Sequence, residues 1–261
     1  MKKVLVVGAN SYIGKKFKEY VDINYNNEIM VDMVSATNGS WEKVDFAKFE
    51  VVIHLAAIVH RKENKRRKSL YYKVNYQLAV DVAMKAKRCN VKQFIFMSTA
   101  AVYGNQIGSI TSNTITRPIT YYGQSKLSAE KAITEICNEE LTVCILRPPM
   151  VYGVGCKGNY TNLRKFAVLS PIFPNYQNKR SVIHIDTLTE YIVDVIRNRR
   201  SGIYHPQDKE LITTYKLVTD IRNQIGKKTL LINEFNLLIE TLLKHNKLKK
   251  VFGDFYYENL E

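Results

Sequence analysis

The stretch TYYGQSK at residues 120–126 places Tyr122 and Lys126 four positions apart. On a helix, positions i and i+4 share a face. An ammonium beside a phenol stabilises the phenolate and lowers the tyrosine pKa towards neutrality. Such a tyrosine can take a proton from a hydroxyl and return it. The chain holds 17 Tyr and 39 Lys plus Arg, so the spacing alone is weak and its surroundings must decide. FMSTAAVYG, at 96–104, supplies two further hydroxyls, Ser98 and Thr99, where a strand is expected to end.

The elements that would position these groups follow a regular order. KVLVVGANSYIGKKFKEYV reads as strand, tight turn and helix, with an unbroken apolar run like that of a strand buried on both faces. EIMVDMVS (28–35) and FEVVIHLAA (49–57) read as strands, and 71–90 as a helix capped at Asn90. A strand follows at 92–104, a helix at 121–140 and a strand at 142–153 closed by Pro148 and Pro149. Strands alternating with helices predict an α/β fold with a doubly wound, Rossmann-type parallel sheet. The pattern loosens after residue 153. We therefore expect a dinucleotide-binding domain over 1–153 and a smaller substrate domain over 154–261, part of which packs back on the first. The tail LINEFNLLIETLLKHNKLKKVFG is basic and amphipathic. It reads as a packed helix, with a membrane-surface or partner helix as the alternative.

GANSYIG lies between the first strand and the first helix. Gly8, Ser11 and Gly14 fall at three-residue intervals, with Asn10, Tyr12 and Ile13 between them. A glycine there lets the chain reverse tightly, so that backbone N–H groups and the helix N-terminus face a pyrophosphate. Asp32 falls near the end of the second strand, where a carboxylate can accept from the ribose hydroxyls of NAD. Lys15 and Lys16 leave NADP open as the cofactor. An oxidised nicotinamide near Tyr122 would add a second positive charge beside the phenol.

The net charge of +15 divides into +9 over 1–150 and +6 over 151–261, so no tail carries it. Three readings compete for it: a solvated basic surface, a phosphate-rich ligand, and nucleic acid or an anionic membrane. The densest run, RKENKRRK (61–68), has no interleaved aromatic residue for base stacking and reads as a solvated loop or helix start. No stretch is long enough to span a bilayer. The four cysteines show no metal-ligand pairing, and with no export signal in view the reading is reduced thiols and a cytoplasmic protein. His54 reads as structural, His184 has no catalytic role, and His60 falls where a substrate contact or a plain surface histidine are equal readings.

Seven stretches in order, GANSYIG, VVIHLAA, Asn75 in YYKVN, STAAVYG, YYGQSK, LRPPMVYG and RSVIHID, resemble the extended short-chain dehydrogenase/reductase superfamily. That group comprises nucleotide-sugar epimerases, dehydratases and reductases, and the resemblance covers nearly the whole chain. It implies Thr99, Tyr122 and Lys126 as the catalytic set, with Lys126 also on the nicotinamide ribose. It implies Asp45 and Phe46 beside the adenine, and Leu55, Ala56, Ala57, Asn75, Ser98 and Pro148 along the cofactor. Arg180 would meet the substrate diphosphate and Asn162 its nucleotide. It also implies a homodimer. Three departures stand out: Ser11 replaces a glycine of the turn, and Met150 an asparagine found in several epimerases. Ala100 and Ala101 replace the acidic pair of the sugar dehydratases, which argues against 4,6-dehydration.

The expected activity is an NAD-dependent 4-epimerase acting on a UDP-sugar in polysaccharide sugar synthesis. The alternative is an NAD(P)H-dependent reductase of a nucleotide-linked 4-keto sugar. A non-catalytic dinucleotide- or RNA-binding protein of the same fold is the remote third reading. The Thr99–Tyr122–Lys126 set argues against it, and no nucleic-acid partner is expected.

Overall fold

The computed structural model describes residues 1–59, 63–258 and 260. The chain runs β1 (Lys2–Val7), α1 (Tyr12–Asn24), β2 (Ile29–Val34) and β3 (Val51–His54). Next come α2 (Lys68–Tyr71), a π-helical stretch (Tyr72–Gln77), α3 (Leu78–Arg88), β4 (Gln93–Met97) and β5 (Gly108–Ile110). Then follow α4 (Tyr121–Ile136), β6 (Thr142–Leu146), β7 (Met150–Tyr152), α5 (Asn159–Leu169), β8 (Ile172–Pro174), β9 (Val182–His184) and α6 (Ile185–Arg197). The last elements are β10 (Gly202–Tyr204), α7 (Thr214–Asn223), β11 (Leu230–Ile232), α8 (Asn236–Leu242), α9 (Asn246–Phe252) and β12 (Phe255–Tyr257).

Six parallel strands form the central sheet in the order β10-β6-β4-β3-β1-β2. The order reverses between β1 and β3, and in such sheets ligands bind beyond the carboxyl ends at that point. The strands alternate their side chains between two cores. Val4 and Val6 of β1 face α1 and α6, against Phe17, Val21, Leu188 and Ile192. Leu5 and Val7 face α3 and α4, against Val82, Ala83, Ala129 and Ile133. Small residues on α3 and α4 let both helices lie close to the sheet. A third core, around Tyr160, Phe173, Val218, Ile221 and Phe252, holds the later part of the chain. Although α6 and β10 come after residue 153, they pack on the central sheet.

Two sequence readings differ from the structure, while the helix end at Asn90 agrees with it. The expected strand over 142–153 is broken at Pro148 and Pro149, which lack the ladder N–H; its second half, β7, pairs with β9 in a separate ribbon. The tail helix is instead two short helices, α8 and α9, followed by β12. α3 ends at Arg88 with Cys89 as its cap, and Asn90 takes the left-handed conformation (φ 56°) of a helix-ending asparagine, which turns the chain towards β4.

His54 is fully buried and stacks on Phe94 and Phe96, 6.5 and 6.0 Å between ring centres. Burial lowers its pKa to about 3. The folded chain therefore keeps it neutral, while the unfolded chain protonates it below about 6.5. Stability is lost as pH falls from 6.5 towards 3, by about 2 kcal/mol at pH 5. Thermal melts of the natural chain and His54→Phe should diverge in slope over that window; parallel slopes would contradict the neutral histidine.

Candidate functional site

A cavity of about 1230 Å³ opens beyond the carboxyl ends of β1, β3 and β4. Its first wall is the turn after β1. Gly8 has φ +127°, and a Cβ there would meet the Ala56 backbone N at 2.9 Å, so neither the conformation nor the space admits a side chain. The Gly8 and Ala9 amides donate to the Val34 carbonyl at 2.8 and 3.0 Å and fix the turn between two strands. Ser11 caps α1, its hydroxyl accepting from the Gly14 amide at 3.3 Å. Asn10, Ser11, Tyr12 and Ile13 line the cavity, so the N-terminus of α1 faces it. This cradle, closed to a side chain and rimmed by helix N–H groups, fits a dinucleotide pyrophosphate.

Leu55, Ala56, Ala57, Ser98 and Pro148, which the resemblance places along the cofactor, also line the cavity. Five expected cofactor residues lie elsewhere. Gly14 is a packing glycine, since a Cβ would press on Met33, Leu55 and Val6 at 3.0–3.2 Å. Asp32 is exposed on the edge strand β2, ahead of its end; Ser35, Ala36 and Thr37 occupy the position facing the cavity. The Ser35 and Thr37 hydroxyls lie 2.8 Å apart there. Asp45 caps the following turn by accepting from Ala47 N at 3.1 Å, and Phe46 is fully buried beneath Lys85, whose ammonium lies 4.6 Å from the ring centre. Asn75 is buried in the π-helical stretch. It accepts from Ile58 N at 2.7 Å and donates to Ile58 O and Ser125 Oγ, both at 3.2 Å. It therefore holds the loop after β3 against α4 and does not reach the cavity itself.

Thr99, Tyr122 and Lys126 meet on the cavity floor. Thr120 caps α4, accepting from Gly123 N at 3.1 Å, and Gly123 packs so tightly that a Cβ would lie 2.6 Å from Ala101 O. Burial pushes the Tyr122 pKa up to about 12, with the neighbouring Thr99 hydroxyl pulling it the other way. Lys126 is buried and donates to Met97 O at 2.7 Å, with its nitrogen 4.3 Å from the Phe96 ring centre. Burial lowers its pKa to about 7, against the nearby Glu130 charge. The sequence reading has the lysine charge acting directly on the phenol. In the structure that charge is held by a carbonyl and a ring, and Tyr122 stays protonated at neutral pH.

The other end of the cavity is polar and basic. Asn162 and Arg180 line it as expected, with Lys157, Asn159, Ser181 and Lys250 beside them. Arg180 donates to Gly253 O at 2.8 Å, which aligns its guanidinium. His60 lies outside the described residues. Sequence reasoning missed Glu63, buried in the reading of a solvated basic run. Its carboxylate accepts from the Tyr121 and Tyr122 amides, both at 3.0 Å, across the N-terminus of α4. It missed Lys250 because the tail read as one packed helix.

A Rossmann-type sheet, a glycine turn facing a cavity and a Thr–Tyr–Lys floor define a dinucleotide-dependent enzyme class. Residues 4–205 match the NAD dependent epimerase/dehydratase family, and the chain belongs to it. It is 27% identical over 244 residues to the N-acetyl-alpha-D-glucosaminyl-diphospho-ditrans,octacis-undecaprenol 4-epimerase of Escherichia coli O157:H7, covering 86% of this chain and 73% of that one. It is 25% identical over 255 residues to a UDP-glucose 4-epimerase of Vibrio cholerae, covering 87% and 77%. In fold it is similar to a UDP-glucuronic acid 4-epimerase from Bacillus cereus in complex with NAD (TM-score 0.73, 18% identity, 99% and 90% covered). It is equally similar to a dTDP-4-dehydrorhamnose reductase from Bacillus anthracis in complex with NADP (TM-score 0.73, 21% identity, 89% and 84% covered).

Proposed function

We propose that the chain is a 4-epimerase of a nucleotide-linked hexose, a UDP-sugar in the first instance, with Thr99, Tyr122 and Lys126 as its catalytic residues. The observation that carries this reading is their placement on one floor, between the Gly8 turn and the basic end at Lys157, Arg180 and Lys250. A sugar diphosphate fits between the floor and the basic end, its phosphates on the basic groups and its C4 hydroxyl on Tyr122, while the Gly8 end is left to the dinucleotide. The names of the two relatives share this chemistry, since both act on a sugar carried by a diphosphate.

Tyr122 Oη takes the C4 hydroxyl proton, and Thr99 Oγ1 orients that hydroxyl. A bound oxidised nicotinamide supplies the hydride acceptor and the positive charge that lowers the phenol pKa. Lys126, fixed on the Met97 carbonyl, would hold the nicotinamide ribose beside that hydroxyl. After the 4-keto sugar has turned over in the cavity, hydride returns from the reduced nicotinamide to the opposite face of C4, and Tyr122 returns its proton to the C4 oxygen. A homodimer and a cytoplasmic setting belong to the same proposal.

One observation favours the reductase as a second reading. With Asp32 outside the cavity and Ser35 and Thr37 at the β2 end, no carboxylate among the described residues lines the cavity at that end to repel a 2′-phosphate. The test is the dinucleotide released from freshly purified, denatured protein, followed by absorbance at ~340 nm when UDP-hexoses are added. Retained NAD with transient reduction and interconversion of a UDP-hexose pair is expected. Empty protein that binds NADPH in preference to NADH, with no interconversion, would replace the epimerase by the reductase.

A further inference from the structure

The later part of the chain carries an apolar surface that its own core does not use. α5 delivers Leu169, 83% exposed, to the turn before β8. In the β8–β11 ribbon, Ile172 and Leu230 are register partners, so their side chains lie next to each other on one face. Both are exposed, while Phe173 on the opposite face is buried in the third core. α8 continues the surface. Asn236 donates to Asn175 O at 3.2 Å and joins the start of α8 to the end of β8. α8 turns Ile239 inward and leaves Leu237, 73% exposed, and Leu238 outward. Exposed apolar side chains gathered on adjoining elements in this way mark an interaction site.

Its rim is basic. Arg164 and Lys165 on α5, Lys227 and Lys228 before β11, and Lys244 after α8 are all exposed. Among the described residues none of these five forms an ion pair. The acidic groups within the same segments are Glu234 and Glu240. Apolar side chains with flanking cations match a bilayer surface bearing anionic headgroups, where the chains enter the acyl boundary and the cations meet phosphate. The +15 net charge of the whole chain works in the same direction.

We propose that this surface docks on an anionic lipid bilayer. α5 ties it to the site: Asn159 and Asn162 at one end line the cavity, and Leu169 at the other lies in the patch. Eleven helical residues span roughly 16 Å, so the docked bilayer lies about one helix length from the sugar-diphosphate end. This inference does not depend on which reaction the site performs.

The test is flotation of the purified chain with phosphatidylcholine vesicles, with and without phosphatidylglycerol, at low and high salt. Co-flotation with the phosphatidylglycerol vesicles alone is expected, weakened by salt. Leu169→Glu/Leu237→Glu and Lys227→Glu/Lys228→Glu should each reduce the bound fraction by roughly tenfold. Because these residues are exposed, the melting temperature and dinucleotide binding should stay unchanged, which separates lost docking from lost folding. Absence of flotation, or flotation indifferent to both variants, would overturn the proposal. So would a dimer in sedimentation that Leu169→Glu/Leu237→Glu splits without any vesicle binding, since the surface would then lie between two copies.

Discussion

Tyr122→Phe is expected to fold, to retain its dinucleotide and to lose about 10²- to 10⁴-fold in turnover. Phenylalanine keeps the ring and its volume, so the packing of α4 on the floor survives. What disappears is the Tyr122 hydroxyl, which shares the cavity floor with Thr99 and Lys126. Neither neighbour replaces it. Lys126 is committed to the Met97 carbonyl, and Thr99 accepts from Ala101 N at 3.1 Å, which fixes its rotamer. Single-turnover absorbance of the reduced nicotinamide isolates the first proton-coupled hydride step, and the melting temperature reports the fold. A variant that reduces its cofactor as fast as the natural chain would remove Tyr122 from its role. Thr99→Val should cost less, because Tyr122 remains to exchange the proton.

The sheet and the meeting of Thr99, Tyr122 and Lys126 at one cavity were legible because both depend on local pattern. Apolar runs mark the buried parallel strands, and GANSYIG lies in its strand–turn–helix context. Tyr122 and Lys126 share a face because the helix period puts them there. What was not legible depends on how far a strand runs before the cavity begins. Asp32 reads as the ribose carboxylate by its spacing, but β2 continues to Val34, and the residues after it take that position. Asp45 and Phe46 also carry fold roles that spacing does not show: Asp45 caps a turn, and Phe46 is buried under Lys85. Glu63 lies in a run whose composition reads as solvated, and only the tertiary approach of α4 gives its carboxylate two amides to hold. The tail misled because its helical period spans a break. Leu243, Lys244 and His245 separate α8 from α9, and β12 pairs with β5 far away in sequence.

Glu130→Gln is expected to lower stability by roughly 3–5 kcal/mol and to shift the site's pH response. Glu130 lies one turn beyond Lys126 on α4 and is 2% exposed. Its carboxylate accepts from Arg147 Nη2 at 2.6 Å, from Nε at 3.1 Å, and from the Ser98 hydroxyl. Arg147 also donates to Tyr103 Oη at 2.8 Å, and Tyr103 in turn meets His205 Nε2 at 2.7 Å. Glutamine keeps the shape but leaves the buried guanidinium without its counter-charge, and that uncompensated charge is the main cost. A loss of this size should lower the melting temperature by roughly 10 °C in a chain of this length. Adding Arg147→Met removes the stranded charge and should restore much of the loss, an interaction only a coupled pair shows. The second consequence concerns the floor. Glu130 is the charge that opposes the burial-driven fall of the Lys126 pKa, so without it Lys126 loses its proton at a lower pH than about 7. The limb of the turnover–pH profile that follows Lys126 should then move to lower pH. A purely structural Glu130 would leave that limb in place when activity is measured below the melting transition.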